Sequence, residues 1–152
     1  MMREILLSAG LILSMSLFGQ SINPDYDSTL TRQYGADDYG MKSYMLVILK
    51  TGTATIEDRQ TIDSLFAGHL KNIRLLAESG KLVIAGPLGK NPHSYRGIFI
   101  LDVADEHEAS DILQTDPAII EKLLEPEVFK WYGSAALSEY MKIQHKLGKF
   151  RF

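Results

Sequence analysis

Two residues of types that move protons stand in this chain at positions worth explaining. His69 lies in the stretch GHLKNIRLLAESG (68–80), where Ile62, Leu65, Phe66, Ile73, Leu76 and Ala77 recur at spacings of three and four and lay out the apolar face of a helix. A histidine on that face has two readings. It is a hydrogen-bonded core residue, or it is a proton-transfer group, because an imidazole held in one tautomer by a partner exchanges protons near neutral pH. Either way a leucine would pack better, and the buried ring costs on the order of 1–3 kcal/mol unless it finds a hydrogen bond. Asp116 stands directly before Pro117. Aspartate ahead of a proline at the first helical position is a favoured helix start, so capping alone accounts for it.

Other chemistries find little support. The chain has no cysteine, which excludes disulfide frameworks, zinc knuckles, iron–sulfur clusters and thiol catalysis. HExxH, GxSxG, P-loop and Rossmann glycine patterns do not occur, and no spacing of His, Asp and Glu suggests a metal site. No metal or cofactor is therefore expected. His93, His107 and His145 fall in a loop, a helix start and a tail, where a solvated surface is the better reading. The net charge is -3 with signs mixed along the chain. Without a basic stripe to meet a phosphate backbone, nucleic acid is not an expected partner.

The elements that must position His69 and Asp116 follow from pattern. Ser43–Lys50 reads as a first strand, and Thr55 with Asp58 as the capping pair of a first helix. That helix stops at Gly80 in a left-handed conformation. A second strand, Lys81–Ala85, ends at Gly86-Pro87, where proline has no amide for a ladder. Arg96–Val103 is a third strand, and Asp105 with Glu108 starts a second helix, which Asp116-Pro117 interrupts. A short helix over Pro117–Leu124, a fourth strand over Pro126–Ser134 and a helix over Ala135–Leu147 complete the chain. Trp131 and Tyr132 read as sheet packing, with their rings on opposite faces. The order βαββαβ predicts an α+β, ferredoxin-like sandwich with both main helices on one sheet face and an extra C-terminal helix. The first and third strands are apolar at almost every position, so the other face also requires cover. A second subunit, the C-terminal helix, or both must supply it.

The N-terminus has a different composition. Residues 1–19 combine an arginine, an uncharged apolar run from Ile5 to Phe18 and a small residue at Gly19. This is the layout of a cleaved secretory signal peptide, and the run is shorter than the ~20 residues that span a bilayer. Export to the cell envelope or beyond is the expectation, with no membrane span after cleavage; an uncleaved N-terminal anchor is the alternative. Residues 20–40, rich in Ser, Thr, Asp and Gly without an apolar period, read as an extended leader. The folded domain is then 41–134, and 135–152 is the C-terminal helix and tail.

His69 on the first helix, the Gly80 stop, KLVIAGP (81–87) on the second strand and Thr115-Asp116-Pro117 after the second helix together resemble the YCII-related family, over roughly Tyr44 to Trp131. The resemblance implies a small ferredoxin-like chain of the dimeric α/β-barrel type. It implies a His-Asp pair as the active site, which is carried here by His69 and Asp116, with Gly86 and Pro87 lining the same region. Some members dehalogenate chlorinated aromatics; most have no assigned reaction. Two features depart from the pattern. Ala118 stands where members commonly have an aromatic, and many members are short cytoplasmic chains without a leader or a C-terminal helix. Two functional classes follow. One is a cofactor-free enzyme that uses the pair for proton transfer on a small organic substrate, by isomerisation, elimination or hydrolysis. The other is a non-catalytic dimeric envelope module that binds a small ligand or a partner protein. The surroundings of His69 discriminate: an open pocket with Asp116 in reach favours the enzyme, and tight apolar packing the module.

Overall fold

A computed structural model describes residues 23–149, apart from the side chain of His145. Residues 1–19, expected to be a signal peptide, and the start of the leader lie outside the described residues. The elements are α1 (Ser28–Tyr34), β1 (Met41–Thr51), α2 (Arg59–Glu78), β2 (Leu82–Pro87), β3 (Tyr95–Leu101), α3 (Glu106–Leu113), α4 (Pro117–Ile120), β4 (Leu124–Ser134), a 3-10 turn (Ala135–Tyr140) and α5 (Met141–Leu147). The four strands form one sheet in the order β2-β3-β1-β4, and every neighbouring pair is antiparallel. This is the ferredoxin-like α+β arrangement expected from the pattern.

Alternation along the strands divides the apolar residues between two faces. Met45, Val47 and Leu49 of β1 and Phe99 and Leu101 of β3 join one cluster, against which α2, α3 and α4 place Phe66, Ile73, Ile112, Leu113, Ala118 and Ile119. Tyr44, Val83 and Ile100 form a second cluster on the other face with Leu46, Ile84 and Trp131. The residues after β4 cover part of it. A 3-10 helix has three residues per turn, so Leu137 and Tyr140 eclipse one another and both reach this cluster. That geometry explains why the expected C-terminal helix is split. Phe129, on the same face, remains 47% exposed. Trp131 and Tyr132 pair with Tyr44 and Ser43 respectively, which puts their rings on opposite faces as expected.

Helix ends are set mostly by the anticipated residues. Gly80 is left-handed at φ 74; its N–H reaches Ala77 O and that of Lys81 reaches Leu76 O, a Schellman closure of α2. Asp105 caps α3 by accepting from Glu108 N–H, and the Glu108 carboxylate in turn accepts from Ala104 N–H. Four boundaries differ. Asp58, not Thr55, is the cap of α2, accepting from Thr61 N–H at 2.9 Å. β2 continues through Pro87, because it is an edge strand and a proline there forfeits only an outward-facing amide. α4 stops at Ile120, ahead of Lys122 at φ 56. The leader is not wholly extended: Ser28–Tyr34 is helical, held by Asp27 at its start and Gly35 at its end. None of its residues is buried, so there was no apolar period to reveal it. Hydrogen bonds from Tyr34 to Glu139 and from Tyr132 to Asp37 tie this segment to the end of the chain. Among the described residues no helix is long and apolar enough to cross a membrane.

Candidate active site

His69 is the one buried residue of the twenty in α2. Its apolar neighbours on the stripe, Phe66, Ile73 and Leu76, are only partly buried, so the helix is centred on the sheet at its histidine. The ring lies over Phe99 of β3, with centroids 5.9 Å apart and planes 23° from parallel. Phe66, one turn earlier, meets it edge-on at 6.2 Å. Two aromatic surfaces thus limit the ring's rotation.

Asp116 is 1% exposed and sits where α3 ends and α4 begins. Its two carboxylate oxygens do separate work. Oδ1 accepts the Ala118 N–H at 2.9 Å and caps α4, while Oδ2 lies 2.6 Å from His69 Nδ1. A carboxylate only accepts, so Nδ1 carries the proton and donates it. That leaves Nε2 with the lone pair. Among the described residues Nε2 has no hydrogen-bond partner, and no side-chain nitrogen or oxygen is both buried and unpartnered. The side chain as a whole is 11% exposed. Chemically this is an oriented base with its lone pair on Nε2, backed by a carboxylate that stabilises the ring once it is protonated.

Contacts on both sides of the pair hold α2 against the Thr115-Asp116-Pro117 turn. Gly68 packs against Pro117, and the Asn72 side-chain amide is 3.1 Å from Thr115 Oγ1. Residues 68, 69 and 72 thus meet 117, 116 and 115 in reverse order. Of these, only His69 and Asp116 were candidates from sequence. Phe66 was legible as a ring one turn before the histidine, whereas Phe99 required the sheet register. Of the two β2 candidates, Gly86 pairs with Ile98 and Pro87 with Gly97, while Ala85 is the partner of Phe99. Paired residues share a face, so Pro87 is on the helix side and Gly86 belongs to the other. Among the described residues neither is bonded to the pair.

Two surface grooves open elsewhere. One of about 600 Å³, lined by Ile84, Leu137 and Tyr140, lies on the side of the second cluster. The other, of about 320 Å³, lies beside Asp58 and Leu65 at the start of α2. The discriminating observation is therefore divided: Asp116 is in bonding reach of His69, but the ring's faces are packed and these grooves do not reach it. His93 and His107 are exposed, as expected. Among the described residues no group of three or more His, Asp or Glu is arranged to hold a metal.

No curated protein matches the chain significantly. Among solved structures, it is similar to 5-chloro-2-hydroxyhydroquinone dehydrochlorinase from Burkholderia phenoliruptrix AC1100, in complex with 2,5-dihydroxybenzoquinone. The identity is 18%, the alignment covers 57% of this chain and 92% of that one, and the TM-score is 0.42. The sequence model of the YCII-related domain matches residues 43–131, more than half of the chain, from Ser43 in β1 to Trp131 in β4. The chain belongs to the YCII-related domain family.

Proposed function

We propose that the protein is an acid–base enzyme for a small organic substrate, with His69 as the catalytic residue and Asp116 as the group that positions it. The observation that carries this reading is the buried 2.6 Å bond between Nδ1 and Asp116 Oδ2, which leaves the ring's lone pair on Nε2. A purely structural histidine gains most when both nitrogens are satisfied, and among the described residues only Nδ1 of this one is. Nε2 takes a proton from a carbon beside a carbonyl, and the electron pair moves onto the carbonyl oxygen. The imidazolium, held by Asp116, then returns the proton at another carbon, giving isomerisation, or the pair expels a leaving group, giving elimination. An activated water at Nε2, giving hydrolysis, uses the same geometry. Phe66 and Phe99 keep the ring aligned; substrate approaches its exposed edge.

The test has two stages. Small carbonyl acids and aromatics are screened for a rise in melting temperature, since a ligand that binds only the folded state stabilises it. Binders are then incubated in D2O with the wild type and with His69→Leu. Deuterium entry or product formation with the wild type alone is the expected result. Equal stabilisation of both proteins, without exchange or turnover by either, would leave a binding module instead.

The sheet face favours a companion reading, a homodimer packed sheet to sheet, which serves the enzyme and the module alike. It is supported by exposed Phe129 beside half-buried Leu46, Ile48 and Ile98. A standard interface buries about 800 Å² per partner, and light scattering at micromolar concentration decides between dimer and monomer. Export rests on the first nineteen residues, and N-terminal sequencing of protein from the envelope fraction checks their removal.

A further inference from the structure

A glycine inside a helix is disfavoured by its backbone freedom, so one in the middle of α2, beside the histidine, calls for a reason. Gly68 has one in its surroundings. A Cβ placed there would stand 2.5 Å from Pro117 Cγ, while Pro117 Cβ and Cδ would be at 3.6 and 3.7 Å. The conflict is thus with a single ring carbon, and a proline ring cannot rotate away as a flexible side chain does. Gly68 precedes the histidine and Pro117 follows the aspartate. The contact that a larger residue would disturb is next in sequence to both halves of the pair.

We propose that Gly68 is a positioning residue for the His69–Asp116 pair: its missing side chain seats Pro117 against α2, and this seat sets the 2.6 Å separation of ring and carboxylate. As a statement about an active site it rests on the acid–base reading above; as a statement about geometry it is tested without substrate. Gly68→Ala pushes Pro117 outward and carries Asp116 with it, since Asp116 is tied to α4 through Ala118 N–H, and its backbone oxygen also accepts from Ile119 and Ile120 N–H. Removing the offending carbon should undo the effect. In Gly68→Ala/Pro117→Ala the nearest remaining atom of residue 117 is its Cβ, at an ordinary contact distance of 3.6 Å.

The measurement is the His69 Nδ1–H proton in NMR spectra of the full chain, whose low-field position reports a short bond to a carboxylate. Wild type and Pro117→Ala should both show it, because the cap belongs to Asp116 and not to the proline. Gly68→Ala should lose it or shift it upfield, and the double variant should regain it. A wild-type signal in Gly68→Ala overturns the proposal, as does a double variant that folds without recovering the signal. Should Gly68→Ala fail to fold, the double variant must both fold and show the proton, and its failure to do so also overturns the proposal. If the signals behave as expected but no variant, wild type included, ever exchanges a substrate proton, the positioning role stands and the catalytic reading falls.

Discussion

Replacing Asp116 by asparagine sets the two jobs of this residue against each other. The carboxylate accepts from Ala118 N–H with Oδ1 and from His69 Nδ1–H with Oδ2; an amide has only one oxygen. If that oxygen keeps the cap, the NH2 group points at Nδ1, which must then give up its proton and accept. The cap survives, and a charge-assisted bond of about 1.5–3 kcal/mol becomes a neutral one of about 0.5–1.5 kcal/mol, a net loss near 1 kcal/mol. If the oxygen instead serves the histidine, the cap is lost at about 1 kcal/mol. Two donors then face each other in a site 1% exposed, at a further cost of about 1–3 kcal/mol. The first arrangement wins. Asp116→Asn should therefore fold, melt roughly 3–6 °C lower, and hold His69 in the opposite tautomer, with its proton on Nε2. Ring-nitrogen chemical shifts read the tautomer directly, and turnover, once a substrate is known, should vanish because the outward nitrogen no longer has a lone pair. A variant with wild-type melting and the proton still on Nδ1 would refute the assignment of the two oxygens.

His69→Leu should fold but lose about 3–5 kcal/mol, because leucine suits the space between Phe66 and Phe99 but strands a buried carboxylate; chemical denaturation measures this, and an unchanged stability would contradict the bond between ring and carboxylate. Burial, aided by the charge of Asp102, pushes the Tyr44 hydroxyl up to about 12, and its bond to Asp37 pushes Tyr132 up to about 12. Both groups are raised, so the stability they contribute is full below the ordinary value of 10 and is lost as pH rises through 12. Tyrosine absorbance should show a late ionisation step that shrinks in Tyr132→Phe. Asp37, lowered chiefly by the same Tyr132 bond, contributes above its ordinary 3.8 and ceases to as pH falls through its folded value, so the leader should loosen in acid as well; proteolysis at both extremes checks it. Gly133→Ala would place a Cβ 2.2 Å from the Trp131 ring and cost about 1–3 kcal/mol by overpacking. With a single tryptophan in the chain, an unchanged fluorescence spectrum in that variant would contradict the packing of the Trp131 ring on Gly133.

The site is half legible in the sequence. His69 showed itself as a polar break in a helical period, and Asp116 as a cap before proline, because both signals are local. Their meeting was not local. It depends on where α2 crosses the α3–α4 turn, and the residue that sets this crossing, Gly68, looked like an ordinary helix glycine. The strand order followed from element order, yet β2 was ended too early, since a proline is tolerated or not according to whether its strand is an edge. α1 left no trace in hydropathy because it buries nothing. Its caps, Asp27 and Gly35, were the available signal.

The placement of β1 has a consequence for how the chain reaches this state. β1 pairs with β3 on one side and, over its full length from Met41 to Thr51, with β4 on the other. The ties from the leader to the tail are more distant still, with partners 105 and 95 positions apart. Synthesis supplies β1 before β2 and β3, and Leu124–Ser134 after both. Until then β1 keeps one row of unpaired amides and carbonyls, and Tyr44 lacks Trp131. Such non-local closure is slow and leaves a strand edge open to other chains while it waits. The domain cannot be assembled in instalments from its N-terminus: every growing chain that stops short of β4 is an open-edged sheet, and the final strand completes the centre and the rim together.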